Sequence, residues 1–89
     1  MERTSDFIER LRVKNGGCTD YRISRILETT QSAIIRWKNG TTMNDEYAIK
    51  TAKKLEIDPA YVLACVAAER SQNVESKEHW ERIASKFAA

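Results

Sequence analysis

The sequence predicts an all-α fold of six short helices, and three observations carry that prediction. The 89 residues include only three glycines and one proline, far fewer than the turns of a β fold require. Apolar residues recur at intervals of three and four positions along most of the chain. Hydrophobic residues make up 42% of the chain and charged residues 31%, which is typical of a single globular domain.

The first helix is predicted over about residues 5–14. Either Thr4 or Ser5 serves as its N-cap, and the run Asn-Gly-Gly at 15–17 ends it. Its inward face carries three apolar residues at helical spacing, Phe7, Ile8 and Leu11.

The second helix is predicted over about residues 20–27. Thr19 is its N-cap, and Asp20 suits the positive end of the helix dipole. Because Arg22 and Arg25 are three residues apart, we expect them to point outward together.

The third helix is predicted over residues 31–38, between the N-cap Thr30 and the terminating pair Asn39-Gly40. Ile34 and Trp37 are three residues apart and are expected to point into the core. The other sides of this helix carry Gln31, Ser32, Ile35 and Arg36.

Three further helices follow. The fourth is predicted over about residues 44–56, and the fifth opens at Asp58-Pro59, an N-cap followed by proline at the first helical position. A loop at 71–73 precedes the sixth, predicted over about residues 76–87. This last helix has a clean amphipathic stripe that consists of Trp80, Ile83, Ala84 and Phe87.

Residues 23–40, ISRILETTQSAIIRWKNG, resemble the helix-turn-helix of lambda-repressor/Cro-like (Xre-type) DNA-binding proteins. The family pattern is roughly L-A-x-x-L-G-V-S-Q-x-x-I-S-x-W-x-x-G. The matching residues are Ile23, Leu27, Thr30, Gln31, Ile34, Trp37 and Gly40. The resemblance implies a five-helix lambda-repressor-like helix-turn-helix bundle as a DNA-binding domain over 1–70. Residues 71–89 would then form an additional C-terminal helix, which we interpret as a dimerisation element.

Two residues depart from the family pattern. Ser24 replaces a small alanine where two helices pack closely, and serine is small enough to fit there. Glu28 replaces the usual turn glycine, which often takes a positive φ. A glutamate at this position implies either a strained backbone or a different turn.

A second resemblance concerns the segment from Asp58 onward, DPAYVLACVAAER followed by a short loop and HWERIA. It resembles the C-terminal part of small phage-associated regulators, including those of filamentous prophages. This favours a phage or prophage origin and assigns no contact.

The resemblance implies that the third helix contacts base edges through Gln31, Ser32 and Arg36. The chemistry agrees, because the major groove admits an α-helix, glutamine can pair with adenine, and arginine can pair with guanine. Ala33 is also predicted to contact a base, since a small side chain can approach a thymine methyl group.

Contacts to the DNA backbone are predicted for five residues, Thr19, Tyr21, Arg22, Lys38 and Asn39. The first three surround a helix N-terminus, which favours phosphate. Asn39 matches a backbone-contacting place of the family, and Lys38 adds electrostatic attraction. Three alternatives stay open: Thr19 is only a cap, Tyr21 packs on the first helix, and Lys38, like Arg25, only solubilises the surface.

The charge is unevenly spread along the chain, although the net charge is only +2. Residues 1–40 contain eight lysines or arginines and five aspartates or glutamates, whereas residues 41–89 contain seven and eight. The segment from Arg22 to Lys38 contains four basic residues and only one acidic residue, Glu28. A local basic patch of this kind suggests an anionic partner at one face, although an ordinary charged surface remains an alternative.

Residues 60–68, AYVLACVAA, are apolar on all sides, so this helix must be covered on more than one face. We expect a homodimer whose interface comprises Val62, Val66, Trp80, Ile83 and Phe87. Such a dimer would place the two third helices about 34 Å apart, one turn of DNA. The alternative is a purely intramolecular core.

These observations predict a homodimeric, sequence-specific transcription repressor of phage or prophage genes. Its partner would be a palindromic double-stranded DNA operator, at which it would block RNA polymerase. An antirepressor protein is a further expected partner, because we expect no self-cleaving protease domain in a chain of this length. Two alternatives remain: an antitoxin that also represses its own operon, and a helical protein-interaction module.

We expect neither an enzyme nor a bound cofactor or metal. His79 has no second histidine or nucleophile beside it, and Cys18 and Cys65 have no nearby basic partner in the sequence. The charged start of the chain lacks the apolar core of a signal peptide, and no apolar run approaches about 20 residues. We therefore expect a cytoplasmic protein without a membrane segment.

Overall fold

Six α-helices form the fold in the computed structural model, which describes residues 1–88: α1 (Thr4–Lys14), α2 (Asp20–Ile26), α3 (Gln31–Lys38), α4 (Asp45–Leu55), α5 (Pro59–Arg70) and α6 (Val74–Phe87). These residues contain no strand, so the predicted all-α class is confirmed. The bounds of α3 agree with the prediction, and α6 begins two residues earlier than predicted.

Side-chain oxygens cap five of the six helices and so fix where they begin. Thr19 and Thr30 accept hydrogen bonds from the backbone N–H groups of Arg22 and Ala33, as predicted. The remaining three caps are Asn44, Asp58 and Asn73. Each cap satisfies one of the backbone donors that the first turn of a helix leaves without a partner.

Helix α1 begins differently, because its N-cap is Arg3 rather than Thr4 or Ser5. The Arg3 backbone N–H donates to the Asp6 carboxylate at 2.9 Å. The Thr4 hydroxyl is buried and donates instead to Glu69 of α5 at 2.7 Å. The Glu69 side chain, only 2% exposed, also accepts from the Thr4 backbone N–H at 2.8 Å. The start of α1 is thereby joined to the end of α5.

Helices α1 to α4 end through a left-handed residue. In α1 and α3 this residue is a glycine, Gly16 or Gly40, as the sequence predicts. In α2 and α4 it is a glutamate: Glu28 has φ 57° and Glu56 has φ 60°. Glu28 therefore adopts a positive φ, the strained alternative of the two that the sequence leaves open.

The core lies where α1 packs against α2, α3 and α4 and continues along α5. Its largest fully buried apolar side chains are Phe7, Ile8, Leu11, Ile23, Leu27, Ile34, Met43, Val62 and Val66. Two aromatic pairs pack at the edges of this core. Trp37 packs on Tyr47 with ring centroids 5.1 Å apart, and the edge of one ring meets the face of the other between Phe7 and Tyr61.

Helix α5 is covered within its own chain, by α4 on one side and by α6 on another. Every residue from 59 to 69 is buried or half-buried. Val62 and Val66 are fully buried, so the prediction that they form a dimer interface is wrong. The apolar surface of α5 is matched by α6, which folds back along it and buries Ala84.

The overall dimensions place α6 in the same body as the other helices. The Cα radius of gyration is 12.6 Å, close to the roughly 12 Å expected for a compact domain of this length. In the part of the chain that the structure describes, no helix has both the length and the apolar character that crossing a membrane requires.

Candidate nucleic-acid interface

Helices α2 and α3 pack against each other and are joined by a turn at residues 27–30. The turn is fixed by two backbone hydrogen bonds, from Glu28 to the Arg25 carbonyl oxygen at 3.3 Å and from Thr29 to the Ser24 carbonyl oxygen at 2.9 Å. This is the usual pattern of a helix end with one left-handed residue. It makes the end of α2 a defined corner, so the direction of α3 is set by the backbone.

Ser24 is buried on the side of α2 that packs against the rest of the bundle. Its hydroxyl donates to the Tyr21 carbonyl oxygen one turn earlier, at 2.6 Å. The extra oxygen therefore has a partner inside its own helix, and among residues 1–88 no buried side-chain polar atom lacks one. The serine is accommodated at the packed side of α2 without an unpaired polar group.

Helix α3 has one buried side and one exposed side. Ile34 and Trp37 are buried, as predicted. The exposed side carries Gln31, Ser32, Ile35 and Arg36. We call these four residues the outer face of α3.

The structure corrects the prediction for Ala33. Its side chain is only 4% exposed and belongs to the core cluster with Ile34 and Trp37. A methyl group turned into the core cannot reach a base edge, so Ala33 is not a base-contacting residue. A small side chain can approach a base only from the exposed side of the helix, and Ala33 lies on the buried side.

Three polar side chains of the outer face, Gln31, Ser32 and Arg36, make no hydrogen bond or ion pair with the rest of the described chain. On α3, the side chains that do make such bonds are those of Lys38 and, just beyond the helix, Asn39. Gln31 and Ser32 occupy the first turn, and Arg36 lies more than one turn further on. The outer face thus offers donors and acceptors to a partner without first breaking internal contacts.

Lys38 is held by an ion pair that the sequence does not predict. Its ammonium group donates to both carboxylate oxygens of Asp20, at 3.0 and 3.2 Å. Arg12 of α1 also donates to Asp20, so one carboxylate of α2 joins α1 to α3. The hydrogen bond from Arg12, followed by that from Lys38, lowers the pKa of Asp20 below its usual value.

The other predicted backbone-contacting residues are exposed on α2 and at the ends of α2 and α3. Tyr21 is 59% exposed, so more than half of its side chain is open to a partner. Arg22 is exposed, and Thr19 is an exposed N-cap. Asn39 is exposed too, and its side-chain amide donates to the Ile35 carbonyl oxygen at 2.9 Å.

Helices α2 and α3 and the turn between them carry more exposed cations than exposed carboxylates. Arg22 and Arg25 on α2 and Arg36 on α3 are exposed and form no ion pair within residues 1–88. The exposed acidic residue nearest in sequence is Glu28, in the turn between these two helices. Such a surface attracts a polyanion, and more strongly at low salt.

No family model, no curated protein and no solved structure matches the chain. Among the 88 residues that the structure describes, no three histidine, cysteine, aspartate or glutamate side chains are grouped so that they could hold a metal ion. A function for this surface must therefore be inferred from its own geometry and chemistry.

Proposed function

We propose that the protein is a sequence-specific repressor that binds double-stranded DNA through the outer face of α3. The observation that carries this proposal is the combination of unpaired polar side chains on that face with a buried opposite side. Gln31, Ser32 and Arg36 are free to bond, while Ile34 and Trp37 fix the helix to the core. The resemblance of residues 23–40 to Xre-type helix-turn-helix proteins supports the same function.

The base contacts follow from the chemistry of each side chain. The major groove accepts one α-helix, and the N-terminal part of such a helix reaches the base edges. Gln31 is the first residue of α3 and can bond the N6 and N7 atoms of adenine. Arg36 can bond the O6 and N7 atoms of guanine, and Ser32 accepts or donates at either base.

The phosphate backbone would be contacted from α2 and from the end of α3. Arg22 and Arg25 supply two exposed charges, and Tyr21 and Asn39 supply polar groups at either side. Each phosphate neutralised by a cation releases counterions, so affinity falls as salt rises. Lys38 contributes less than these arginines, because its charge is already paired with Asp20.

A homodimer would present two copies of α3, one for each half-site of the operator. Trp80, Ile83 and Phe87 are 40, 38 and 43% exposed and lie on one face of α6. An exposed apolar stripe of this kind can pair with its own copy about a two-fold axis. Two α3 helices related by that axis would enter successive major grooves about 34 Å apart, which requires a palindromic operator.

Repression follows if the operator overlaps a promoter, because the bound dimer excludes RNA polymerase. The resemblance of the C-terminal segment to phage-associated regulators favours phage or prophage genes as targets. An antirepressor protein would then release the operator by competing for the same surfaces.

The experiment begins with duplexes selected from a randomised double-stranded library by the wild-type protein. Gln31→Ala and Arg36→Ala should each weaken binding to the selected duplex by about 1–3 kcal/mol and relax sequence preference at one position. Arg82→Ala, which removes an exposed charge from α6, is the matched control and should leave the selected sequence unchanged.

Two results would contradict the proposal. One is a selection from which no preferred sequence emerges at any salt concentration. The other is a selected duplex that both α3 variants bind as tightly as the wild-type protein does.

A further inference from the structure

Ile35 is the one large apolar side chain on the outer face of α3. It is 45% exposed and lies between polar residues, four positions after Gln31 and three after Ser32. Residues at these spacings share a side of a helix, so Ile35 faces the same partner as both of them. The inward side of α3 is already filled by Ala33, Ile34 and Trp37.

The half-exposed position gives α3 less stability than a buried position would. A β-branched residue is a weaker helix former than a straight-chain residue, and an exposed side chain gains little from burial. The same stiffness is useful in binding, because a side chain restricted at χ1 loses little freedom when a partner covers it. The outer face therefore combines three polar groups with one rigid apolar group.

The major groove of DNA contains one apolar group that such a side chain fits, the C5-methyl group of thymine. We propose that Ile35 packs on a thymine methyl group and so selects thymine at one position of each half-site. This inference rests on the proposed function of α3. Ile35 lies about one helical turn, roughly 6 Å, from Gln31, so the thymine lies within a few base pairs of the base that Gln31 contacts.

The proposal is tested by removing the methyl group from the DNA without changing its base pairing. In a duplex selected by the wild-type protein from a randomised library, each thymine is replaced in turn by uracil. One thymine per half-site should show a loss of affinity of about fourfold, the effect of one buried methyl group. Ile35→Ala should bind thymine and uracil equally at that position.

Val13→Ala is the matched control, because Val13 is an exposed apolar residue of α1 outside the outer face. It should keep the wild-type preference for thymine over uracil. Circular dichroism should give the same helix content for both variants, because neither residue belongs to the core.

The outcomes separate this inference from the function on which it rests. If the protein selects a sequence but no uracil substitution weakens binding, or if Ile35→Ala keeps the wild-type uracil profile, the role of Ile35 is refuted and DNA recognition by α3 stands. If the protein selects no DNA sequence, the proposed function fails and the inference fails with it.

Discussion

At Glu28 the backbone takes the left-handed conformation, in which the Cβ of an ordinary residue crowds the following carbonyl group. Glu28→Gly should therefore stabilise the protein. The relief of about 1–2 kcal/mol is partly offset by the greater freedom of glycine in the unfolded chain, which leaves a gain of about 0.5–1 kcal/mol. Urea unfolding of both proteins measures this difference.

Lys53→Gly is the control for that prediction, since Lys53 is exposed inside α4 and has ordinary helical geometry. It should cost about 1 kcal/mol, as glycine does inside a helix. An equal loss of stability in both variants would mean that Glu28 is not strained.

The outer face shows what residue types and spacing can and cannot predict. The caps Thr19 and Thr30 and the inward positions Ile34 and Trp37 are predictable, because each depends on neighbours within one helical turn. The burial of Ala33 is not apparent from its size, although its position beside Ile34 could have indicated it.

At the scale of helices, α1, α2 and α3 meet at Asp20, which bonds to Arg12 and Lys38. Because these bonds favour the charged carboxylate, the folded-state pKa of Asp20 lies below its unfolded value. The stabilisation is complete above the unfolded pKa, near 3.8, and is lost as pH falls through the folded pKa.

Asp20→Asn should therefore destabilise the protein at pH 7 by about 0.5–1 kcal/mol, the range for a partly exposed ion pair. The difference from wild type should shrink as the pH falls below about 4. Thermal unfolding between pH 7 and pH 3 measures this trend. Glu78→Gln is the control, because Glu78 is exposed on α6 and lies outside the ion pairs of Asp20. Its stability should differ from wild type by the same small amount at each pH. A difference that stays constant with pH for Asp20→Asn would refute the stabilising role of these ion pairs.

The partners of whole helices were harder to predict than the helices themselves. The apolar sequence of α5 indicates that several of its sides are covered. Which helix covers them depends on the direction in which α6 leaves the loop at 71–73, and the spacing of apolar residues does not specify that direction. The ion pair between Asp20 and Lys38 joins residues 18 positions apart and depends on the α2–α3 corner. Local signals therefore predicted the elements, and tertiary contacts decided their neighbours.

For the whole molecule, the proposed homodimer rests on the exposed apolar stripe of α6. Ile83→Glu places a charge in the centre of that stripe and should shift a wild-type dimer to monomer, measured by sedimentation equilibrium at micromolar concentrations. Affinity for a palindromic duplex should fall with it. Folding should be kept, because Ile83 is outside the buried core cluster.

Val74→Glu provides the comparison on the same helix. Val74 is exposed and lies nine residues earlier, which is the opposite side of α6. This variant should remain a dimer. A wild-type protein that is monomeric at hundreds of micromolar would contradict the proposed homodimer.

Recognition of DNA by α3 is the central claim, and NMR titration tests it most directly. The backbone amide signals of ¹⁵N-labelled protein are followed while a duplex selected by the protein is added. The largest shifts should fall on residues 31–39, with smaller shifts on residues 19–25. Shifts confined to α5 and α6, or none at saturating duplex, would contradict it.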